Sequence, residues 1–304
     1  MAYTEVSFQD ASDIIIAAGL SDLVNLEKLS GGWANSNYKL SLNDNTKRVL
    51  KIWDGKTLDE VNYLLSITTY LSDNDVPTPS PIPFSNGEFM VVKDGLAWTL
   101  LPFVEGAWLE PNYSSLHSLG RIQASLHLVI PPVNLKDKYS RGNSLFDKLF
   151  SIANERNEWS DFLHMLKSES TRLKQNIGEL PRGIIHGDLF PDNILGTNDN
   201  VTSILDFEEV CYDILAFDLV MTFVGCGWEN GEPVVERWVA LLEGYQSVRM
   251  LSHEERDSLS DLHHLATLSI AAWRYWQFVI NLPNTEHTGR YLEMIDRLNK
   301  SLPF

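Results

Sequence analysis

The run His186-Gly187-Asp188-Leu189-Phe190-Pro191-Asp192-Asn193, followed by Ser203-Ile204-Leu205-Asp206-Phe207-Glu208, constrains this chain more than any other stretch. In the catalytic loops of ATP-dependent phosphoryl transfer, an Asp accepts the proton of the attacking hydroxyl. An Asn five residues later binds Mg²⁺ through its amide oxygen. Asp188 and Asn193 stand at that spacing. A second oxygen ligand comes from an Asp-Phe pair at the end of a nearby strand. Val201, Ser203, Ile204 and Leu205 read as that strand, leading into Asp206-Phe207. Loop, turn and strand would then aim three oxygen-bearing side chains at one place, with Asp188 and Asn193 at the chemistry and Asn193 and Asp206 on the metal. The His-x-Asp-x4-Asn pattern alone is weak, and the Asp-Phe strand and an upstream Val-Leu-Lys strand make it selective.

Composition points to an intracellular enzyme. The chain has 304 residues, 44% of them hydrophobic, enough for a substantial core and for two domains or lobes. Its two cysteines, Cys211 and Cys226, form neither a disulfide framework nor a zinc pattern. The N-terminus lacks the basic and apolar regions of a signal peptide, and no apolar run approaches the ~20 residues that span a bilayer. A cytoplasmic protein is expected. The net charge of −17, from 24 basic and 41 acidic residues, argues against nucleic-acid or membrane partners. ATP is also an anion, so Mg²⁺, backbone N–H groups and a few basic side chains must meet its phosphates locally.

The pattern predicts an α+β chain of two lobes, residues 1–103 and 104–304, with a hinge at about 104–106. Before the hinge, Leu23 to Leu29, Ser36 to Leu42, Lys47 to Trp53, Phe89 to Val92 and Leu96 to Phe103 read as strands of a small antiparallel sheet. Thr57 to Leu71 reads as a helix opening on a Thr57/Glu60 capping box. The rest reads as mainly helical, over Tyr113 to Leu128, Ser144 to Ile177, Leu215 to Phe223, Val234 to Tyr245, Glu254 to Phe278 and Arg290 to Asn299. A small lobe hinged to a larger one suits a nucleotide that must sit in a closable cleft.

Several small-lobe residues suit that nucleotide. Gly31 and Gly32, in the loop leading to Ser36, would let backbone N–H groups approach phosphate oxygens; a plain hairpin turn is the other reading. Lys51 shares a strand face with Val49 and Trp53 and is placed on the α- and β-phosphates, against the alternative of a snorkelling surface lysine. Glu60 is its best partner in sequence, and also the helix cap. In the larger lobe, His186 is expected to brace the loop backbone, Asp218 reads by default as a helix cap, and Glu208 with Glu209 could meet a cationic substrate or form a solvated turn.

At these residues the chain resembles the aminoglycoside-phosphotransferase and choline-kinase superfamily, whose fold is related to that of protein kinases. The protein-kinase markers His-Arg-Asp, Asp-Phe-Gly and Ala-Pro-Glu are absent, against protein substrates. Within the superfamily it is most similar to bacterial homoserine kinases of this fold. That likeness rests on Tyr3-Thr-Glu-Val-Ser7, Trp33-Ala-Asn35-Ser36-Asn37, the Asp188 loop, Leu215-Ala-Phe-Asp218-Leu219, Gly244-Tyr-Gln-Ser-Val-Arg249-Met-Leu-Ser252 and Ala271-Ala-Trp-Arg274-Tyr. Lys51 and Asp206-Phe-Glu208 look more like the aminoglycoside and choline kinases, and the tail after Tyr275 departs from the homoserine kinases.

The resemblance implies in-line transfer of the ATP γ-phosphoryl group to a primary hydroxyl, with Mg²⁺ as cofactor and L-homoserine as acceptor. A choline, ethanolamine or aminoglycoside acceptor is the alternative, and a catalytically silent nucleotide-binding protein the alternative of another class. Homoserine requires partners for an ammonium and a carboxylate. An Arg fork suits the carboxylate, and Arg274, beside Trp273, Tyr275 and Trp276, is either that fork or a bridge between helices.

Overall fold

The computed structural model describes residues 4–29 and 35–304. Gly31 and Gly32 lie outside the described residues. The chain forms two compact units, one running to Ala107 and including Thr202–Leu205, the other comprising Trp108–Val201 and Asp206–Phe304.

The first unit begins with a helix absent from the sequence reading, α1 (Phe8–Ala17), which opens on a Ser7/Asp10 capping box. Its consecutive Ile14, Ile15 and Ile16 suit a strand as well as a helix, but Ala11, Ile14 and Ile15 fall on one helical face and are buried. They join the core of a five-stranded antiparallel sheet. Its strands are β1 (Leu23–Lys28), β2 (Ser36–Leu42), β3 (Lys47–Ile52), β4 (Val91–Lys93) and β5 (Leu96–Pro102), in the order β1-β2-β3-β5-β4. Along β2, Tyr38, Leu40 and Leu42 alternate inward, the period-2 pattern of a sheet with one face on a core. In the middle strand Lys51 pairs with Asn37 on one side and Thr99 on the other. α2 (Leu58–Asp73) starts at the expected capping box. The two-residue strand β6 (Ala107–Trp108) spans the boundary between the units.

The second unit is mainly helical: α3 (Tyr113–Leu128), α4 (Asn143–Arg156), α5 (Asp161–Asn176), α6 (Leu215–Cys226), α7 (Val235–Gln246), α8 (His253–Asp257), α9 (Leu259–Tyr275) and α10 (Arg290–Arg297). The single helix expected over 144–177 is two. Asn157 takes a left-handed conformation, φ 53° and ψ 40°, and Ser160 caps the restart. The helix expected over 254–278 divides at Ser258, and α9 passes into a π-helical turn, Trp276–Asn281. α6 is buried on every side except at Gly225, so it is the central helix of this unit.

Beside it lies an antiparallel pair that the sequence reading lacked, β7 (Arg182–Ile185) with β10 (Cys211–Ile214). The hairpin of β8 (Ile194–Thr197) and β9 (Asn200–Ile204) turns through Asn198 and Asp199, both at positive φ, as a tight two-residue turn requires. β9 is the expected strand into Asp206.

α3 and α7 pack at glycine distance. A Cβ on Gly244 would lie 2.0 Å from the His117 carbonyl oxygen, and one on Gly120 would lie 2.2 Å from that of Leu241. Backbone cannot yield as a flexible side chain can, so Gly244→Ala should force the helices apart and cost about 1–3 kcal/mol. A calorimetric melt should show a clear fall in Tm relative to Gly289→Ala, where a Cβ meets nothing within 4 Å. Equal melting of the two variants would refute the close-crossing account.

Candidate active site

The catalytic-loop candidate starts where β7 ends. His186 and Gly187 follow, with Gly187 at φ 79° and the Tyr139 ring where a Cβ would have to go, 2.8 Å away. The chain then turns tightly. Asp188 O accepts from Phe190 N at 2.9 Å, and Phe190 O accepts from Asn193 N at 2.9 Å within the 3₁₀ turn Pro191–Asn193. Asn193 Nδ2 donates to Asp188 O at 2.8 Å, so the amide nitrogen holds the loop closed and its oxygen is directed elsewhere. His186 Nδ1 accepts from Asp188 N at 3.2 Å, the bracing role expected for it. Its ring packs against Phe207, 4.5 Å between centroids, joining the loop to the Asp206 turn. Asp206 adopts φ 63° and ψ 68°, a left-handed conformation that Asp tolerates better than most residues, before the 3₁₀ turn Phe207–Glu209.

What fixes the loop is Asp218, and here the helix-cap reading is corrected. The residue is fully buried in α6. Asp218 Oδ1 accepts from Gly187 N at 2.7 Å and Oδ2 from His186 N at 3.1 Å, so the carboxylate holds two consecutive loop amides. Gln123 Nε2 and His127 Nε2 each lie 3.0 Å from Oδ2. Burial pushes the Asp218 carboxyl up, but the hydrogen bond and charge of His127, with the charge of His186 and the hydrogen bond from Gln123, hold the group below its ordinary value. Behind it, His127 Nδ1 lies 2.8 Å from Tyr245 OH, Tyr245 OH accepts from Arg249 Nη1 at 3.0 Å, and Arg249 Nη2 pairs with the buried Glu255 at 2.9 Å. The Gly244-to-Arg249 stretch therefore acts through the loop's support.

A residue without a sequence signal stands at the loop's front. Arg141, in the connection between α3 and α4, places Nη1 3.1 Å from Asp188 Oδ2 and Nη2 3.0 Å from Glu209 Oε1. Its guanidinium lies 5.1 Å from the Trp273 ring centroid, and Ser140 Oγ donates to the other Glu209 oxygen. Burial raises the Asp188 carboxyl above its ordinary value, with Arg141 and His186 opposing the shift. Burial disfavours the charge on Arg141, but Glu209 and Asp188 more than offset that and keep it protonated.

The other predicted residues divide. Arg274 takes the helix-bridging role: its Nη1 donates to Arg290 O at 2.9 Å and to Glu293 at 2.8 Å, tying α9 to α10. That nitrogen is committed to α10. Glu208 is half-buried on the 3₁₀ turn beside Glu209. In the first unit, Lys51 is buried with Nζ 3.9 Å from the Trp53 ring centroid. Trp53 Nε1 donates to Thr99 Oγ1 at 3.0 Å, which holds that ring in place. Ser36 Oγ donates to Asp54 at 2.7 Å and accepts from Thr4 N at 2.9 Å, so this hydroxyl fastens residue 4 to the sheet. Glu60 Oε2 accepts from Thr57 N at 2.9 Å, the capping role of its two readings.

The sequence matches the phosphotransferase enzyme family over residues 25–251. The chain belongs to that family. It is a small-molecule kinase with a hydroxyl acceptor, and its α+β fold is the protein-kinase-like one. The homoserine kinase of Sinorhizobium fredii is 26% identical over 293 residues, covering 91% of this chain and 87% of that protein. An amicoumacin kinase in complex with AMP-PNP and Ca²⁺ shares the fold with a TM-score of 0.71 at 15% identity, covering 92% of this chain and 90% of that one. A microcompartment-associated aminopropanol kinase does so with a TM-score of 0.71 at 18% identity, covering 96% and 95%. Among the described residues no helix is long and apolar enough to cross a membrane.

Asp218→Asn tests whether the Asp188 loop depends on its buried anchor. An amide presents N–H where buried loop or helix donors need an acceptor, leaving a polar group unsatisfied at about 1–3 kcal/mol. The expected result is a lower Tm together with a lower kcat. Retention of both values would show that the loop does not depend on Asp218.

Proposed function

We propose that this kinase transfers the γ-phosphoryl group of ATP to L-homoserine, giving O-phospho-L-homoserine. The observation that carries the reading is the loop in which Asn193 is bonded to the backbone of Asp188 while Asp218 holds the preceding amides. It leaves the Asp188 carboxylate a quarter exposed on a fixed backbone, as a base that must meet a substrate hydroxyl requires. Asp188 orients the hydroxyl and takes its proton as the oxygen attacks phosphorus. The choice of homoserine rests on the likeness to the S. fredii enzyme, which extends over nine-tenths of this chain.

The residues fit a hard divalent cation. Asn193 and Asp206 offer oxygens, and the bond from Asn193 Nδ2 to Asp188 O turns the amide oxygen away from the loop. Mg²⁺ held there would neutralise phosphate charge. Lys51, held on Trp53 in the first unit, supplies an ammonium for phosphate oxygens.

An amino-alcohol acceptor is the second reading, favoured by Glu208 and Glu209 and by the fold shared with the aminopropanol kinase. A coupled ADP-release assay across L-homoserine, choline, ethanolamine and kanamycin decides between them. The homoserine reading expects the highest kcat/KM with L-homoserine, and poor turnover of it beside good turnover of an amino alcohol would reject that reading.

Two variants test the residues. Asp188→Asn should leave Mg-ATP binding intact and lower kcat by roughly 10²-fold or more, since it removes the proton acceptor. Near-normal turnover would remove Asp188 from the mechanism. Asp206→Ala should weaken nucleotide binding in Mg²⁺ and change it little in EDTA, as expected when a hard cation loses a carboxylate oxygen. Calorimetry showing equal Mg-ATP affinity for variant and wild type would count against that ligand.

A further inference from the structure

We infer that Arg141 is the specificity residue for the acceptor, binding an α-carboxylate on the guanidinium edge that now faces Asp188. The inference rests on the homoserine reading and deepens it. Three features of the structure carry it.

Position comes first. A substrate hydroxyl must come within about 2.6–3.2 Å of Asp188 to give up its proton. Arg141 Nη1 is already 3.1 Å from that carboxylate. An acceptor with its hydroxyl on Asp188 and a carboxylate at the end of a short aliphatic spacer therefore brings that carboxylate to Arg141.

The second feature is the form of the fork. The ring of Trp273 lies 5.1 Å from the guanidinium carbon, and Glu209 holds Nη2 at 3.0 Å, so the plane is set before any ligand arrives. An Arg side chain only 19% exposed has lost most of its water, and a planar pair of donors matches a carboxylate in a way that an ammonium does not. Asp188 Oδ2 shows that a carboxylate oxygen fits at Nη1.

Charge is the third. Asp188 and Glu209 place two carboxylates around one guanidinium. When a substrate carboxylate displaces Asp188 from Nη1, Glu209 remains to balance Arg141 and to receive an ammonium. The cluster then has a partner for each end of a zwitterion and a released base for its hydroxyl. An amino alcohol would use Glu209 and leave Arg141 on Asp188.

The test compares L-homoserine with 3-amino-1-propanol, which has the same hydroxyl, chain and ammonium but no carboxylate. Steady-state kinetics are measured on the full-length wild type, Arg141→Gln and Arg141→Lys with saturating Mg-ATP. The ratio of kcat/KM for homoserine to that for aminopropanol should fall roughly ten- to a hundredfold in Arg141→Gln, chiefly through KM for homoserine, with a smaller fall in Arg141→Lys. A ratio within about twofold of wild type in both variants overturns the inference and leaves homoserine as the substrate. If wild type fails to phosphorylate homoserine while turning over aminopropanol, the homoserine reading and this inference fall together.

A measurement on wild type alone covers the case in which the variants do not fold. L-2-aminobutyrate, which keeps the amino acid group and lacks the hydroxyl, should compete with homoserine at least roughly tenfold more tightly than propylamine. Equal inhibition constants would overturn the role given to Arg141.

Discussion

The buried carboxylate of Asp218 is the contact on which the Asp188 loop of the second unit is built. A loop that leaves a strand and turns at a left-handed glycine has backbone amides pointing into the protein, and buried amides must be paired. Asp218 pairs two of them, from His186 and Gly187. An ionised acceptor holds them more strongly than a neutral one, and low surrounding dielectric raises both the strength of the contact and the cost of breaking it. Asp188 is the next residue, so its backbone position is fixed before any substrate binds.

A buried charge of this kind needs its own support, which comes along a path of side chains from α3, α7, the connection that follows it, and α8. His127 meets Asp218, Tyr245 meets His127, Arg249 meets Tyr245, and Glu255 neutralises Arg249. The glycines at the crossing of α3 and α7 belong to the same arrangement, because His127 and Tyr245 lie on helices that side chains at Gly120 or Gly244 would push apart. Within the Gly244-to-Arg249 stretch, Tyr245 and Arg249 thus stand behind the anchor of one loop.

The elements legible in the sequence are those set by local rules. The five strands of the small sheet, the Thr57 capping box and the strand into Asp206 follow from alternation, turn residues and caps close in sequence. The α1 helix was hidden by its isoleucine run, although Ser7 and Asp10 formed a readable cap in retrospect. The pairing of β7 with β10 joins residues nearly thirty positions apart, and no short window contains it. Breaks at Asn157 and Ser258 depended on single residues inside strongly helical patterns. Asp218 read as a helix cap from its place near a helix start, and the contacts that correct it come from residues distant in sequence, as do those that tie Arg274 to α10. Arg141 carried no signal because its partners, Asp188, Glu209 and Trp273, are distant in sequence and converge only in the fold.

That convergence also separates holding Asp188 from sensing the rest of an acceptor. The parts that fix Asp188 are backbone amides, a buried carboxylate and helix crossings, and none of them needs to know what the hydroxyl is attached to. The groups that would sense the rest of the substrate come from other places: Arg141 from the connection after α3, Glu209 from the turn after Asp206, and Trp273 from the last turns of α9. None of them is among the groups bonded to the Asp218 carboxylate, which are Gln123, His127 and the amides of His186 and Gly187. A chain with an overall excess of acid can thus present one guanidinium beside the Asp188 carboxylate, where Glu209 and Asp188 keep it charged despite its burial. In the role proposed for Arg141, the same pairing holds it in place until a substrate carboxylate arrives, so the charge that balances the cluster without substrate would also distinguish an amino acid from an amino alcohol.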